Sequence, residues 1–358
     1  MKKLHVLLTP IRKIFQSQSG GLLLVIFAMV AVLTTFSGSH LDPVTSRQVN
    51  NFLNPNTMLQ MAIDATPFAI MAVGMTMVII SGGIDLSVGS IYALSGVLMA
   101  MALRPIYDAP TLQTVVAGLI ICVGIGLLCG LINGILVVGL GVHPFIITLG
   151  SMWVLRGIAF VASKAESILV PDSLIGAIKS SLGLGAALSP IPMLVMFAFT
   201  AAGSIYLTRT VAGRHIFAVG GNRDASRYAG LRLNRILISV YTISGLAAGI
   251  AAFLGGGYYG AACCIDANGY ELFVIASAVV GGASLMGGKG NAINAMLGAV
   301  LITLIKQSII TLRIDENYQW IIIGCAIIIA VVLDQTSALL SERRMVKVAA
   351  GETLETRI

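Results

Sequence analysis

Charge is scarce in this sequence. Only 10% of its 358 residues are Asp, Glu, Lys or Arg, while 57% are hydrophobic. Soluble domains average about 25% charged and about 45–50% apolar, so the chain cannot cover the surface of a water-soluble globule. Histidine is scarce too: His5, His40, His143 and His215 are scattered and suggest neither a metal cluster nor a catalytic base. The five cysteines (Cys122, Cys129, Cys263, Cys264, Cys325) lack the spacing of a zinc site or a disulfide framework. They read as small apolar fillers within helices. No nucleophile–base arrangement and no acid–base relay of the proton-pump kind is evident, so neither an enzyme nor a resident cofactor is expected. The strict polar/apolar alternation of a transmembrane β-barrel is missing as well.

What the chain has is long apolar runs, among them "GGLLLVIFAMVAVLTTF" (20–36) and "TVVAGLIICVGIGLLCGLINGILVVGL" (114–140). A hydrocarbon core of roughly 30 Å needs about 20 helical residues, and several runs reach that length alone. The expected class is an all-α membrane protein. Six crossings fit before residue 209 (20–36, 58–80, 87–103, 113–139, 145–162, 191–207). Four fit after 235 (236–254, 271–286, 292–312, 319–335). Basic residues favour the cytoplasmic side. Lys2, Lys3, Arg12 and Lys13 put the N-terminus inside, Arg343, Arg344 and Lys347 the tail, and six arginines against Asp224 the 209–235 loop. Parity then requires the short, Gly-rich 271–286 stretch to cross, whole or with a break, giving about ten spans with both termini cytoplasmic. The first run lacks a clear cleavage site and reads as a retained span. The expected organisation is a cytoplasmic segment 1–19, a membrane domain 20–335 and a cytoplasmic tail 336–358. The net charge of +7 follows from this sidedness, and no nucleic-acid partner is expected. The surrounding lipid is the expected contact.

Three polar stretches interrupt this pattern. In "SGGIDLSVGS" (81–90) an aspartate that costs roughly 2.5–3.5 kcal/mol at mid-bilayer follows Gly82-Gly83, each about 1 kcal/mol worse than Ala in a helix. One reading is a broken helix, with Ser81, Gly82 and Gly83 opening the backbone and Asp85 and Ser87 capping the helix that follows. The other is a cytoplasmic turn with Asp85 as N-cap. In "GRHIFAVGGNRDASRYAGLRLNRI" (213–236), Asn222 suits an N-cap, Asp224 a first turn and Gly230 a stop. A short helix over 223–229, carrying Arg223, Ala225, Arg227, Tyr228 and Ala229, reads as a docking element for a cytoplasmic partner, although its arginines alone would also satisfy the positive-inside bias. The third, "GGASLMGGKGN" (281–291), fails the phosphate-loop spacing: Ala283 stands where the first glycine is needed and Gly290 where the hydroxyl residue is needed. It reads as a turn.

Other ionisable residues in apolar runs are Asp64, Arg156, Asp266, Glu271 and Lys306. Such residues are functional candidates, and Glu271 joins 81–87 in the candidate solute path. Asp64, Arg156, Asp266 and Glu271 are also placed near span ends, where they are inexpensive, and Lys306 is positioned to snorkel. Spaced glycines, Gly130/Gly134 and Gly245/Gly249, read as close helix packing. "GIDLSVGSIYALSGVLMA" (83–100) and "GYELFVIASAVVGGASLM" (269–286) hint at a two-fold internal repeat of about five helices.

The blocks at 74–100, 143–161, 213–236 and 274–291 resemble the permease subunits of bacterial ABC importers for monosaccharides, the ribose/galactose/xylose branch, in order over about 58–335. "SGGIDLSVGS" and "AVGGN" are the most specific. The resemblance implies a multi-pass protein of the bacterial cytoplasmic (inner) membrane. It implies three partners: a cytoplasmic ABC ATPase that binds the ATP, a second permease copy or paralogue, and a periplasmic or lipid-tethered sugar-binding protein. It makes the polar break at 81–90 part of the path and 222–231 the segment that couples to the ATPase. "YYGAACCIDANGYELFVI" (258–275) departs from the branch in its Cys-Cys; Tyr258, Tyr259 and Tyr270 there could stack on a sugar ring. A same-family permease for a nucleoside or furanose-like solute, and an independent ion-coupled sugar carrier, are the competing readings.

Overall fold

The structure is a computed structural model and describes residues 18–41, 48–182, 188–315, 317–322, 324, 325, 328 and 332. The basic clusters of both termini lie outside them, as does most of the expected span 319–335. Helices dominate: α1 (Gln18–Phe36), α2 (Pro55–Ile80), α3 (Val88–Leu103), α4 (Thr111–Leu140), α5 (Pro144–Ser163), α6 (Asp172–Ile178), α7 (Ile191–Arg209), α8 (Val211–Gly221), α9 (Arg223–Tyr228), α10 (Leu233–Tyr259), α11 (Tyr270–Val280) and α12 (Ala292–Thr311). Two minimal antiparallel ladders join loops: β1 (Ser39–Leu41) with β2 (Gln48–Asn50), and β3 (Ile168–Leu169) with β4 (Ala261–Ala262).

Among the described residues eight helices are long and apolar enough to cross a membrane: α1, α2, α3 with its 3₁₀ extension, α4, α5, α7, α10 and α12. They match the expected spans closely. The stretch 271–286, expected to cross whole or with a break, is helical over only part of its length. Its helix, α11, has 11 residues, about 16 Å at 1.5 Å per residue, half of a hydrocarbon core. It stops at Val280 because Gly281 starts a turn completed by Gly282 at φ +91°. Nor is 209–221 a loop, since Thr210 caps α8 by accepting from the Gly213 N–H at 3.0 Å. The ends of the spans follow their local chemistry. Asn54 accepts from the Thr57 N–H at 2.8 Å to start α2, Asn291 caps α12, and Gly141 (φ +62°) and Gly260 (φ +81°) close α4 and α10.

The core is α2, buried at every residue from Phe68 to Ile80, surrounded by α7, α10, α11 and α12. On its far side α10 packs against α4 along a seam of glycines. Gly126 meets the Gly245 carbonyl, Gly130 that of Tyr241, and Gly249 that of Cys122; any side chain there would strike backbone. In lipid, where association relies on packing rather than on the hydrophobic effect, small residues four apart permit this approach. The two glycine pairs expected from the sequence thus face one another across a single interface.

Candidate solute cavity and coupling surface

Two segments break the helical pattern inside the bundle. The first, 81–87, leaves α2 in a turn with Gly82 at φ +79° and re-enters beside α10. Gly83 lies under the Tyr241 ring. Asp85, 0% exposed, accepts from the Ser87 N–H (3.0 Å), the Ser87 hydroxyl (2.6 Å) and the Ser244 hydroxyl (2.9 Å). Asn133 Nδ2 donates to Ser87 Oγ at 2.7 Å. Ser244 lies about 16 Å along α10 from Leu233, so the carboxylate sits deep in the bundle. Both sequence readings therefore hold in part: 81–82 is a turn at the bundle's end and 83–87 a non-helical run within it. The capping expectation is corrected, since Ser87 makes no side-chain cap to α3 and its hydroxyl is turned to Asp85.

The second break, 260–269, follows the opposite end of α10. Ala267 (φ +54°) and Gly269 (φ +81°) bend it, and Asp266 Oδ2 accepts from the Cys263 N–H at 2.8 Å. Its fastening is Arg156. The guanidinium donates to the carbonyls of Cys264 (2.7 Å), Asp266 (2.6 Å) and Ala267 (3.3 Å). Arg156 is 8% exposed and lies within α5, about 18 Å from Pro144 and about 10 Å from Ser163. A charge tolerated there needs partners, and the irregular loop supplies carbonyls that no helix has spare. The lone arginine in an apolar run was the signal for this site.

The breaks converge. Gly89, in the first turn of α3, packs against the Ala267 carbonyl and Glu271. Two helices thus begin in mid-bundle, α3 and α11, and each carries carboxylates at its electropositive N-terminus: Asp85 beside α3, Asp266 and Glu271 beside α11. Glu271 Oε2 is buried with no hydrogen-bond partner among the described residues.

A cavity of about 190 Å³ opens at the second break, walled by Tyr92, Tyr259, Tyr270, Cys263 and Asp266. Asp64, itself bonded to Gln60, accepts from the Tyr259 hydroxyl at 3.3 Å and orients that ring. Tyr270 stacks on Phe68, ring centroids 4.5 Å apart. It also walls a second cavity, of about 180 Å³, with Phe68, Lys306, Gln319 and Trp320. Tyr258 lines neither. It is buried, donates to Gln60 at 3.1 Å and has Lys179 Nζ 5.4 Å from its ring centre. Ser81, Gly82, Gly83, Asp85, Ser87 and Glu271 also lie outside both walls.

At the end of the bundle where 81–82 turns, α9 stands out from the body. Asn222 caps it by accepting from the Ala225 N–H at 2.9 Å, and Gly230 ends it at φ +81°. Asp224, Ala225, Arg227, Ala229 and Gly230 are exposed, and Tyr228 is 90% exposed. Ser226 alone is buried in this helix.

The bundle of long apolar helices, with its two polar breaks, defines a polytopic membrane protein. The family model for the branched-chain amino acid transport system / permease component matches residues 57–331, and the chain belongs to this family. It is a permease component of ABC importers, a transport subunit of the inner membrane and not an enzyme. It is 34% identical to the D-allose transport system permease protein of Escherichia coli, over 86% of this chain and 90% of that one. It is 32% identical to the ribose import permease protein of Escherichia coli (87% and 92%) and 32% identical to the fructose import permease protein of Rhizobium meliloti (79% of each). No solved structure matches it.

Proposed function

We propose that this chain carries a monosaccharide across the cytoplasmic membrane, driven by a separate ATPase, and that the 190 Å³ cavity at the second break is a station for the sugar. The observation that carries the reading is the wall of that cavity: three tyrosines and a carboxylate around one space. Aromatic faces suit the C–H faces of a pyranose or furanose, and a carboxylate and phenol hydroxyls suit its hydroxyls. The relatives' names for ribose, allose and fructose import support the class of solute. Ser81, Gly82, Gly83, Asp85 and Ser87, with Glu271, form the continuation of the route, closed in this conformation.

The energy enters through the short helix 223–228 with its caps Asn222 and Gly230, whose outward Asp224, Ala225, Arg227 and Tyr228 form the docking surface for the cytoplasmic ATPase. A second permease copy or paralogue and a periplasmic or lipid-tethered sugar-binding protein complete the importer. Residues 20–335 are the permease domain, 1–19 and 336–358 its cytoplasmic extensions, with about ten crossings of which α11 is helical over only part of its path. Each break lies just before a helix that begins in mid-bundle, α3 or α11, which supports a repeat of two halves of about five helices.

The test is uptake of labelled ribose, allose and fructose into proteoliposomes holding the complex purified through a tag on this chain. ATP-dependent uptake of one sugar is expected. Tyr259→Ala and Asp266→Asn should each raise its apparent KM about tenfold with the ATPase still co-purifying. Uptake by this chain alone on an ion gradient would overturn the reading.

A further inference from the structure

The C-terminus of α2 is the point where a helix hands over to the first break, and its last carbonyls need donors from elsewhere. The turn answers Ile79 and Val78 with the N–H groups of Gly82 and Gly83, and the Ile80 carbonyl takes its donor from farther off. The Gly288 N–H donates to the Ile80 carbonyl at 2.8 Å, and Gly220 lies backbone-on-backbone over the same carbonyl. Arg223 then reaches back from the first position of α9, and its Nη2 donates to the carbonyls of Ser81 (3.3 Å) and Gly82 (3.4 Å). Three turns rich in glycine (80–83, 220–223 and 281–290) are tied into one knot, with Gly82, Gly287 and Gly288 all at positive φ. A cation on the carbonyl end of a helix is also favoured by the helix dipole.

Arg223 differs in this from the rest of α9. Tyr228 and its exposed neighbours face away from the bundle, whereas the Arg223 guanidinium grips the glycine turn that leads within three residues to Asp85. We propose that Arg223 is a positioning residue for transport: it transmits displacement of α9 to the Gly82 turn, and through Gly83 and Asp85 to Tyr241 and Ser244 on α10. The proposal rests on the coupling role of α9 put forward above. Its content is that docking and transmission belong to different side chains of one short helix. Both bonds leave one nitrogen, Nη2, which stands one atom farther out than a lysine ammonium and is less strongly hydrated, so a lysine does not reproduce its reach.

The experiment uses the complex reconstituted in proteoliposomes, with Arg223→Ala, Arg223→Lys and, as the docking comparison, Tyr228→Asp. Arg223→Ala is expected to keep the ATPase bound at wild-type stoichiometry and to hydrolyse ATP within about twofold of wild type. Sugar uptake per ATP should fall tenfold or more. Arg223→Lys, which keeps the charge and the fold, should lose about threefold to tenfold in the same ratio. It carries the test if the alanine variant does not fold. Tyr228→Asp should instead lose the ATPase on purification. Loss of the ATPase in the Arg223 variants would make Arg223 a docking residue, and an unchanged uptake-to-hydrolysis ratio would remove the link; either outcome overturns the inference. Failure of the wild-type complex to couple ATP to uptake would instead strike the proposed function.

Discussion

The two breaks, 81–87 and 260–269, interrupt the same bundle and are held by opposite chemistry. In the first a side-chain carboxylate gathers donors, with Asp85 accepting from Ser87 and Ser244. In the second a side-chain cation gathers acceptors, with Arg156 donating to three main-chain carbonyls. The first is sealed, and its polar atoms are spent on one another. The second borders a cavity and leaves tyrosine rings and Asp266 on its wall. A break closed by a compact side-chain hub acts as a joint. A break fastened from one side by a single long residue can also be a container, because its other face stays open.

Removing each fastening should separate the two roles. The largest effect is expected from Arg156→Ala, which strands buried carbonyls at about 1–3 kcal/mol each; uptake should be abolished and the thermal midpoint in detergent lowered clearly. Arg156→Lys should be milder, keeping the charge without the fork, with uptake reduced severalfold. Asp85→Ala should cost about 1–3 kcal/mol by leaving the Ser87 and Ser244 donors unpaired. It should depress the maximal rate of uptake while the apparent KM stays within about twofold, the mark of a joint rather than a contact. Ser244→Ala, which removes one bond of the hub, should cost about 1 kcal/mol and slow uptake least. If Asp85→Ala raised KM as Asp266→Asn is expected to, the contrast between joint and container would fail.

The first break was legible because its chemistry is local: two glycines and an aspartate in an apolar run advertise themselves. The α9 helix was legible for the same reason, since Asn222 and Gly230 are a start and a stop eight residues from each other. Arg156 was visible as an oddity but its fastening role was not, because its partners lie more than 100 residues away and are backbone carbonyls, which leave no mark in a sequence. Tyr258 and Tyr259 are indistinguishable by composition. Consecutive positions at the end of a helix point different ways, and only Tyr259 reaches the cavity. The stretch 271–286 was left open between a whole and a broken crossing, because hydropathy does not register that Gly282 must adopt a conformation that ends a helix.

The glycine seam between α4 and α10 has a consequence for motion. Backbones pressed together at Gly126, Gly130, Gly245 and Gly249 have no side chains to reorient and no room to slide. These two helices must travel as a single stiff plank, so whatever pivots during a transport cycle pivots around them, with the flexible ground on either side of the plank rather than inside it.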